Sequence, residues 1–141
     1  LGKFSFNNAL LNNVDGSCMI IVATDAPLDH RNLLRLAKRA LLGMGKTGGI
    51  GSNGSGDYVI AFSTATALRV PYQPGKDILN TPVLQNEATS PIFMAAIEAT
   101  EEAITNSLFM ANTMTGKNGH TVEALPMDKV LPILKSHNRI K

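Results

Sequence analysis

The sequence predicts an α+β domain that is one part of a larger fold. Three observations carry this. Two short apolar runs, "CMIIVAT" at residues 18–24 and "YVIAFST" at 58–64, read as strands. Two stretches with apolar residues three or four apart, 30–44 and 90 to about 114, read as helices. Two near-continuous apolar strands leave edges that a complete sheet does not leave open, so another polypeptide, or a preceding region of the chain, is needed to finish it.

Each element has a local cause. The run at 18–24 holds Ile20, Ile21 and Val22 in succession and is expected to be covered on both faces. Pro27 ends it by pushing Ala26 out of helical geometry. Asp29 is a suitable N-cap for the first helix. Leu33, Leu36, Ala37, Ala40, Leu41 and Met44 share one face of that helix, and Arg31, Arg35, Lys38 and Arg39 lie away from it as a solvated stripe. Gly45 is expected to stop it. Residues 45–57 contain six glycines and form a loop that needs unusual backbone angles or close approach. "TALRVPY" has the composition of a short edge strand. Ser90 and Pro91 suit the N-cap and first turn of the second helix. "TGKNGH" reads as a turn, and residues 126–136 as a short helix that Pro132 should break.

Composition excludes some function classes. The chain has 141 residues, 44% hydrophobic and 17% charged, which fits one globular domain. Thirteen basic and eleven acidic residues leave a net charge of +2, with no pull toward nucleic acid or an anionic membrane. No apolar run approaches the roughly 18 residues of a membrane helix. A single cysteine, Cys18, fits a reducing compartment, so a cytoplasmic location is expected. The first residue is Leu1, and a removed signal peptide would make the periplasm the alternative.

The motifs divide into weak and strong. "GMGKTGG" imitates a phosphate loop, but Ala40 stands where its first glycine belongs, and the segment follows a helix rather than a strand. His30, His120 and His137 lack metal-ligand spacing, so no metal or cofactor is expected. Cys18 sits inside an apolar run without a basic neighbour and packs as a small hydrophobe. Ser17 differs: it stands between Asp15-Gly16 and a buried strand. An internal serine needs a separate base. A serine at a new N-terminus carries its own, because a free α-amine titrates near about 7.7–8.0. Cleavage of Gly16-Ser17 would create that group, and Gly16 tolerates the backbone geometry that self-cleavage demands. "NGSGDY" supplies Ser55 and Asp57 two residues apart, on one face if a strand begins there, with glycines beside Ser55 leaving room for backbone approach. A hydroxyl and a carboxylate so placed can hold an amine; a plain turn is the other reading.

"DGSCMIIVATDAPL", "RLAKRALLGMGKTGG", "NGSGDYVIAFSTA" and "EATEEAITNSLFMANTMTGKNGHTVEALP" follow one another in that order. Together they resemble the L-aminopeptidase/D-esterase and β-peptidyl aminopeptidase family of self-processing serine aminopeptidases, in the C-terminal part of the precursor. The resemblance runs from residue 14 to about 131. It implies a cut between Gly16 and Ser17, with residues 17–141 as the nucleophile-bearing smaller-subunit region. Residues 1–16 are then the pre-cleavage segment or the end of the larger subunit. It implies that Ser17 is the nucleophile and its freed amine the base. Ser55 matches a serine that assists the nucleophile. Asp57 matches an acidic position, Glu in some members, that orients the amine and that serine. The implied fold is a four-layer αββα sandwich similar to N-terminal-nucleophile hydrolases. The implied partners are the larger N-terminal subunit and a small peptide, amide or ester substrate, in a tetramer of cleaved pairs. An oxyanion-hole asparagine and an ammonium-binding carboxylate belong to the larger subunit, and neither Asn12 nor Asn13 is assigned to such a role.

Two other functions compete. Ornithine acetyltransferases look similar in fold and transfer the acyl group, but they use threonine where this chain has Ser17. A non-catalytic assembly domain would show no cleavage at Gly16-Ser17.

Overall fold

The computed structural model describes residues 16–72, 75 and 77–140. They fall into two units that divide between Glu101 and Glu102. Of the expected pre-cleavage segment, only Gly16 lies within the described residues.

The first unit is built on a strand–helix–strand arrangement. Strand β1 (Met19–Thr24) leads to helix α1 (His30–Lys46) and then to strand β2 (Tyr58–Ser63). The strands pair in parallel, Met19 opposite Tyr58 through Thr24 opposite Ser63. Parallel neighbours need a crossover of this kind, and α1 supplies it. Asp29 caps α1 as expected, its carboxylate accepting from Asn32 N–H at 2.8 Å. The helix ends later than expected. It runs through Gly45 to Lys46, and Gly48, at φ +101°, makes the left-handed turn beyond it.

Each strand buries one face only, contrary to the expectation of two covered faces. Val22 and Ala61 pack against a core of Leu28, Leu36, Phe93 and Ala96, with Leu33, Leu84 and Ile92 around it. Full burial of side chains such as Leu28 and Leu36 contributes about 1.5–3 kcal/mol each. The opposite face shows Met19, Ile21, Tyr58, Ile60 and Phe62, each between 44% and 68% exposed.

Helix α2 (Ser90–Phe109) meets α1 at Gly43. A Cβ on Gly43 would fall 2.5 Å from Ile97 O and 2.7 Å from Thr100 Cβ, so glycine is what lets the backbones approach. Helix α2 starts one residue earlier than expected. Ser90 is already helical, and Thr89 O accepts Phe93 N–H at 3.0 Å. The basic residues of α1 are not simply a solvated stripe. Arg35 and Arg39 lie over the Phe93 ring, 4.9 and 4.3 Å from its centroid. Arg31 and Arg35 both donate to Asn86 Oδ1. "TALRVPY" is no edge strand; Thr66–Leu68 is a single 3₁₀ turn.

In the second unit α2 ends at Phe109, short of the expected Met114. Met114 instead opens β3 (Met114–Thr115), which pairs antiparallel with β4 (Thr121–Val122). The expected "TGKNGH" turn is their connection, with Asn118 and Gly119 at φ 62° and 76°. Helix α3 (Met127–Ser136) follows and continues through Pro132 instead of breaking there. The cost is one ladder hydrogen bond that a proline cannot donate.

Candidate active site

The strand register fixes the site. Paired residues of β1 and β2 are 39 positions apart, and this offset persists on the N-terminal side of both strands. Tyr58 N–H donates to Cys18 O at 3.0 Å, a backbone bond that extends the ladder past Met19. Beyond it, side chains take over. Cys18 N–H donates to Asp57 Oδ1 at 2.9 Å. Gly56 N–H donates to Ser17 Oγ at 3.0 Å. Ser55 Oγ donates to Gly16 O at 2.5 Å and lies 2.7 Å from Asp57 Oδ2. Three consecutive residues, 55–57, thus hold three consecutive residues, 16–18, one bond to each.

The glycine-rich loop makes this possible. Gly48 and Gly51 adopt φ +101° and +58°, and Ser55 N–H closes a turn on Ser52 O at 2.9 Å. Gly56 packs directly beside the Ser17 hydroxyl: a Cβ there would sit 3.4 Å from Ser17 Oγ, an ordinary van der Waals contact. Ser17 is exposed, whereas Cys18, Ser55 and Asp57 are half-buried.

All four residues singled out in the sequence, Gly16, Ser17, Ser55 and Asp57, meet in this cluster. The amide of Gly56 was missed. Its only signal is the shared 39-residue register, which no local pattern discloses. Cys18 contributes its backbone, donating to Asp57 and accepting from Tyr58. The imitation phosphate loop is otherwise engaged. Lys46 pairs with Glu101, and the Thr47 hydroxyl donates to Met44 O at 2.7 Å. Among the described residues, no group of three or more His, Cys, Asp or Glu is arranged to hold a metal ion.

The chemical content is a hydroxyl next to a peptide bond, with hydrogen-bonding groups on both. One donor faces the Ser17 oxygen and another faces the carbonyl of the bond ahead of it. A hydroxyl and an adjoining carbonyl held in this way are groups that acyl-transfer chemistry can use.

Comparison with known proteins places the chain among the serine aminopeptidases. The chain is 48% identical over 126 residues to "Beta-peptidyl aminopeptidase BapA" of Sphingosinicella microcystinivorans, covering 89% of this chain and 31% of that protein. The chain thus spans about a third of the length of the curated relatives it matches. A protein of known structure from Pyrococcus horikoshii OT3 superposes with a TM-score of 0.80 at 44% identity, over 94% of this chain and 37% of that one. The L-aminopeptidase D-Ala-esterase/amidase of Ochrobactrum anthropi, described as a prototype of the serine aminopeptidases and a new variant of the Ntn hydrolase fold, superposes with a TM-score of 0.77. Identity there is 34%, over 86% of this chain and 34% of that one. The model of peptidase family S58 matches residues 3–122, reaching further back than the quoted motifs, and the chain belongs to that family.

Proposed function

We propose that this chain is the nucleophile-bearing part of a self-processing serine aminopeptidase. The observation that carries the proposal is the hydrogen-bonded cluster around the Gly16-Ser17 peptide bond. Cleavage of that bond turns Ser17 into an N-terminal residue whose amine sits on the same residue as the nucleophile. A free α-amine titrates at about 7.7–8.0, which suits general-base work near neutral pH.

The reaction follows in two halves. The amine takes the Ser17 hydroxyl proton as Oγ attacks the carbonyl of an N-terminal amino-acyl amide, peptide or ester. The proton then passes to the leaving group as the carbon–nitrogen or carbon–oxygen bond breaks. Water, deprotonated by the same amine, releases the acid and restores the hydroxyl. Ser55 and Asp57 would position the amine: Asp57 accepts from the Cys18 amide, next to Ser17, and from Ser55 Oγ at 2.7 Å. The nucleophile and the base in this route both come from Ser17, with water completing the turnover.

The larger N-terminal part of the precursor is the partner in this reading. Two facts support it. The chain spans about a third of its curated relatives. The apolar sheet face of Met19, Ile21, Tyr58, Ile60 and Phe62 needs a cover, and a second sheet packed on it makes the inner layers of an αββα sandwich. Charged or polar residues would be expected there if water were its permanent neighbour.

The test is labelling with a serine-reactive fluorophosphonate, with hydrolysis of an amino-acyl p-nitroanilide measured in parallel. Label on Ser17 and loss of both signals in Ser17→Ala support the reading. Undiminished hydrolysis in Ser17→Ala contradicts it. Transfer of the acyl group to an added amine in preference to water would mark an acyltransferase instead.

A further inference from the structure

Gly56 leaves a gap beside the exposed face of the sheet, and two unlike groups border it. A carbon placed where its Cβ would stand lies 3.4 Å from Ser17 Oγ and 3.5 Å from Tyr58 Cε2. Both are ordinary contact distances, so the gap fits one methyl or methylene group between a hydroxyl and the edge of an aromatic ring. The register explains the arrangement. Ser17 stands across from Gly56, and Met19 across from Tyr58, with the same 39-residue offset. Ser17, Met19 and Tyr58 are exposed, whereas Cys18, between the first two, is half-buried. The two-residue alternation of the strand thus runs on to Ser17 and sets its hydroxyl at the end of the apolar face.

We propose that Tyr58 is a specificity-determining residue: its ring and the Gly56 gap receive the side chain of the substrate's acyl group, and they select aliphatic acyl groups. The proposal rests on Ser17 being the nucleophile, as proposed above. An acyl group on Ser17 extends from Oγ atom by atom. Its carbonyl carbon is bonded to Oγ and lies too close to be the carbon in the gap. The atom two bonds further on can stand at contact distance from Oγ, and in an α-amino-acyl group that atom is Cβ, the first carbon of the side chain. The leaving group lies elsewhere, because it must sit beside the amine that hands it a proton. That amine opens where Gly16 departs, on the Ser55 side of Ser17, while Tyr58 lies on the other side, within the strand. Beyond the gap the face stays apolar, with Met19 across from Tyr58 and Ile60 two residues on, all three more than half exposed. Neither Met19 nor Ile60 has a side-chain partner for a polar group, so a polar acyl side chain laid there would lose its water without compensation. The second sheet proposed as the cover of this face would form the opposite wall.

The experiment uses the full-length protein after its cleavage. It measures kcat/KM for glycyl, alanyl and leucyl p-nitroanilides, and for the same acyl groups on aminomethylcoumarin, in wild type, Tyr58→Phe, Tyr58→Ala and Gly56→Ala. One methylene more or less in an apolar subsite changes kcat/KM roughly 10- to 200-fold. Wild type is expected to favour leucyl over glycyl by a factor in that range. Tyr58→Ala should lose most of that preference, and Tyr58→Phe, which keeps the ring, should retain it. Gly56→Ala puts a methyl into the gap without a clash and keeps the amide that donates to Ser17. It should turn the preference toward glycyl. The shifts should be the same with either leaving group. A wild type that favours glycyl, an equal fall for all three acyl groups in the variants, or a shift that follows the leaving group would overturn the proposal, since a merely structural role lowers every substrate together. If Tyr58→Ala does not fold, the acyl preference of Gly56→Ala decides. Each of these results leaves Ser17 as nucleophile, whereas undiminished hydrolysis in Ser17→Ala would overturn the reading beneath.

Discussion

Two serines flank strand β2, and they behave differently. Ser63, at its C-terminal end, donates to Ala26 O at 2.7 Å and accepts from Ala65 N–H at 3.1 Å. Both partners are backbone groups where the strand ends, and Ala26 O also accepts from Leu28 N–H at 2.8 Å, so Ser63 closes the end of a ladder. Ser55, before the N-terminal end, meets a carboxylate and a peptide carbonyl adjoining a second serine hydroxyl. Both lie along one parallel ladder. The difference is that one end meets backbone groups alone, while the other brings together a hydroxyl, a carboxylate and a peptide carbonyl, the groups that the proposed self-cleavage would use. The sheet sets the geometry for both, and on the proposed reading only one end needs a particular set of atoms.

That contrast can be broken. Asp57→Ala removes the acceptor for Cys18 N–H and the partner of Ser55 at once. Cleavage and turnover are expected to fall by about 100-fold, the effect of misplacing a reacting group, as read by fragment yield and p-nitroanilide release. A fall below tenfold would mean that this end of the ladder is also only structural. Phe93→Ala strikes the core that holds α1 against α2 and leaves Arg35 and Arg39 without their ring. It should cost about 3–5 kcal/mol by chemical denaturation, with turnover at low temperature nearly unchanged. Gly43→Ala forces a Cβ toward Ile97 O and Thr100 and should cost about 1–3 kcal/mol. Ser63→Ala removes a strand-end hydrogen bond and should cost about 1 kcal/mol, with the cleavage rate unaltered. A cleavage defect in Ser63→Ala would erase the distinction between the two ends.

How much of this was legible in the sequence follows from the range of each interaction. Strands β1 and β2, helix α1 and its Asp29 cap depend on residues within a turn or two of one another, and local pattern located them. Ser55 and Asp57 do meet, but not through the one-face strand spacing, because β2 begins only at Tyr58 and Ser55 closes a turn on Ser52. What local pattern missed depends on distant partners. The 39-residue register that delivers Ser17 to Gly56 is a tertiary fact. So is the packing of Arg35 and Arg39 on Phe93, which hid inside an ordinary basic stripe. Gly43 read as one more helical residue, yet it is fixed by a backbone on another helix. The hairpin of β3 and β4 escaped because two-residue strands carry no period. Local signals also erred where a single residue was given a veto. Gly45 and Pro132 were both read as breakers, and both sit within continuous helices.

The central claim is that the Gly16-Ser17 bond is cut by Ser17 and that the exposed serine is the working nucleophile. Intact-mass and N-terminal sequencing of the purified full-length protein tests it most directly. The account predicts two fragments, the smaller beginning at Ser17, with one fluorophosphonate adduct on that residue and a single uncut chain in Ser17→Ala. A fully active wild-type protein that remains one uncut polypeptide would contradict it.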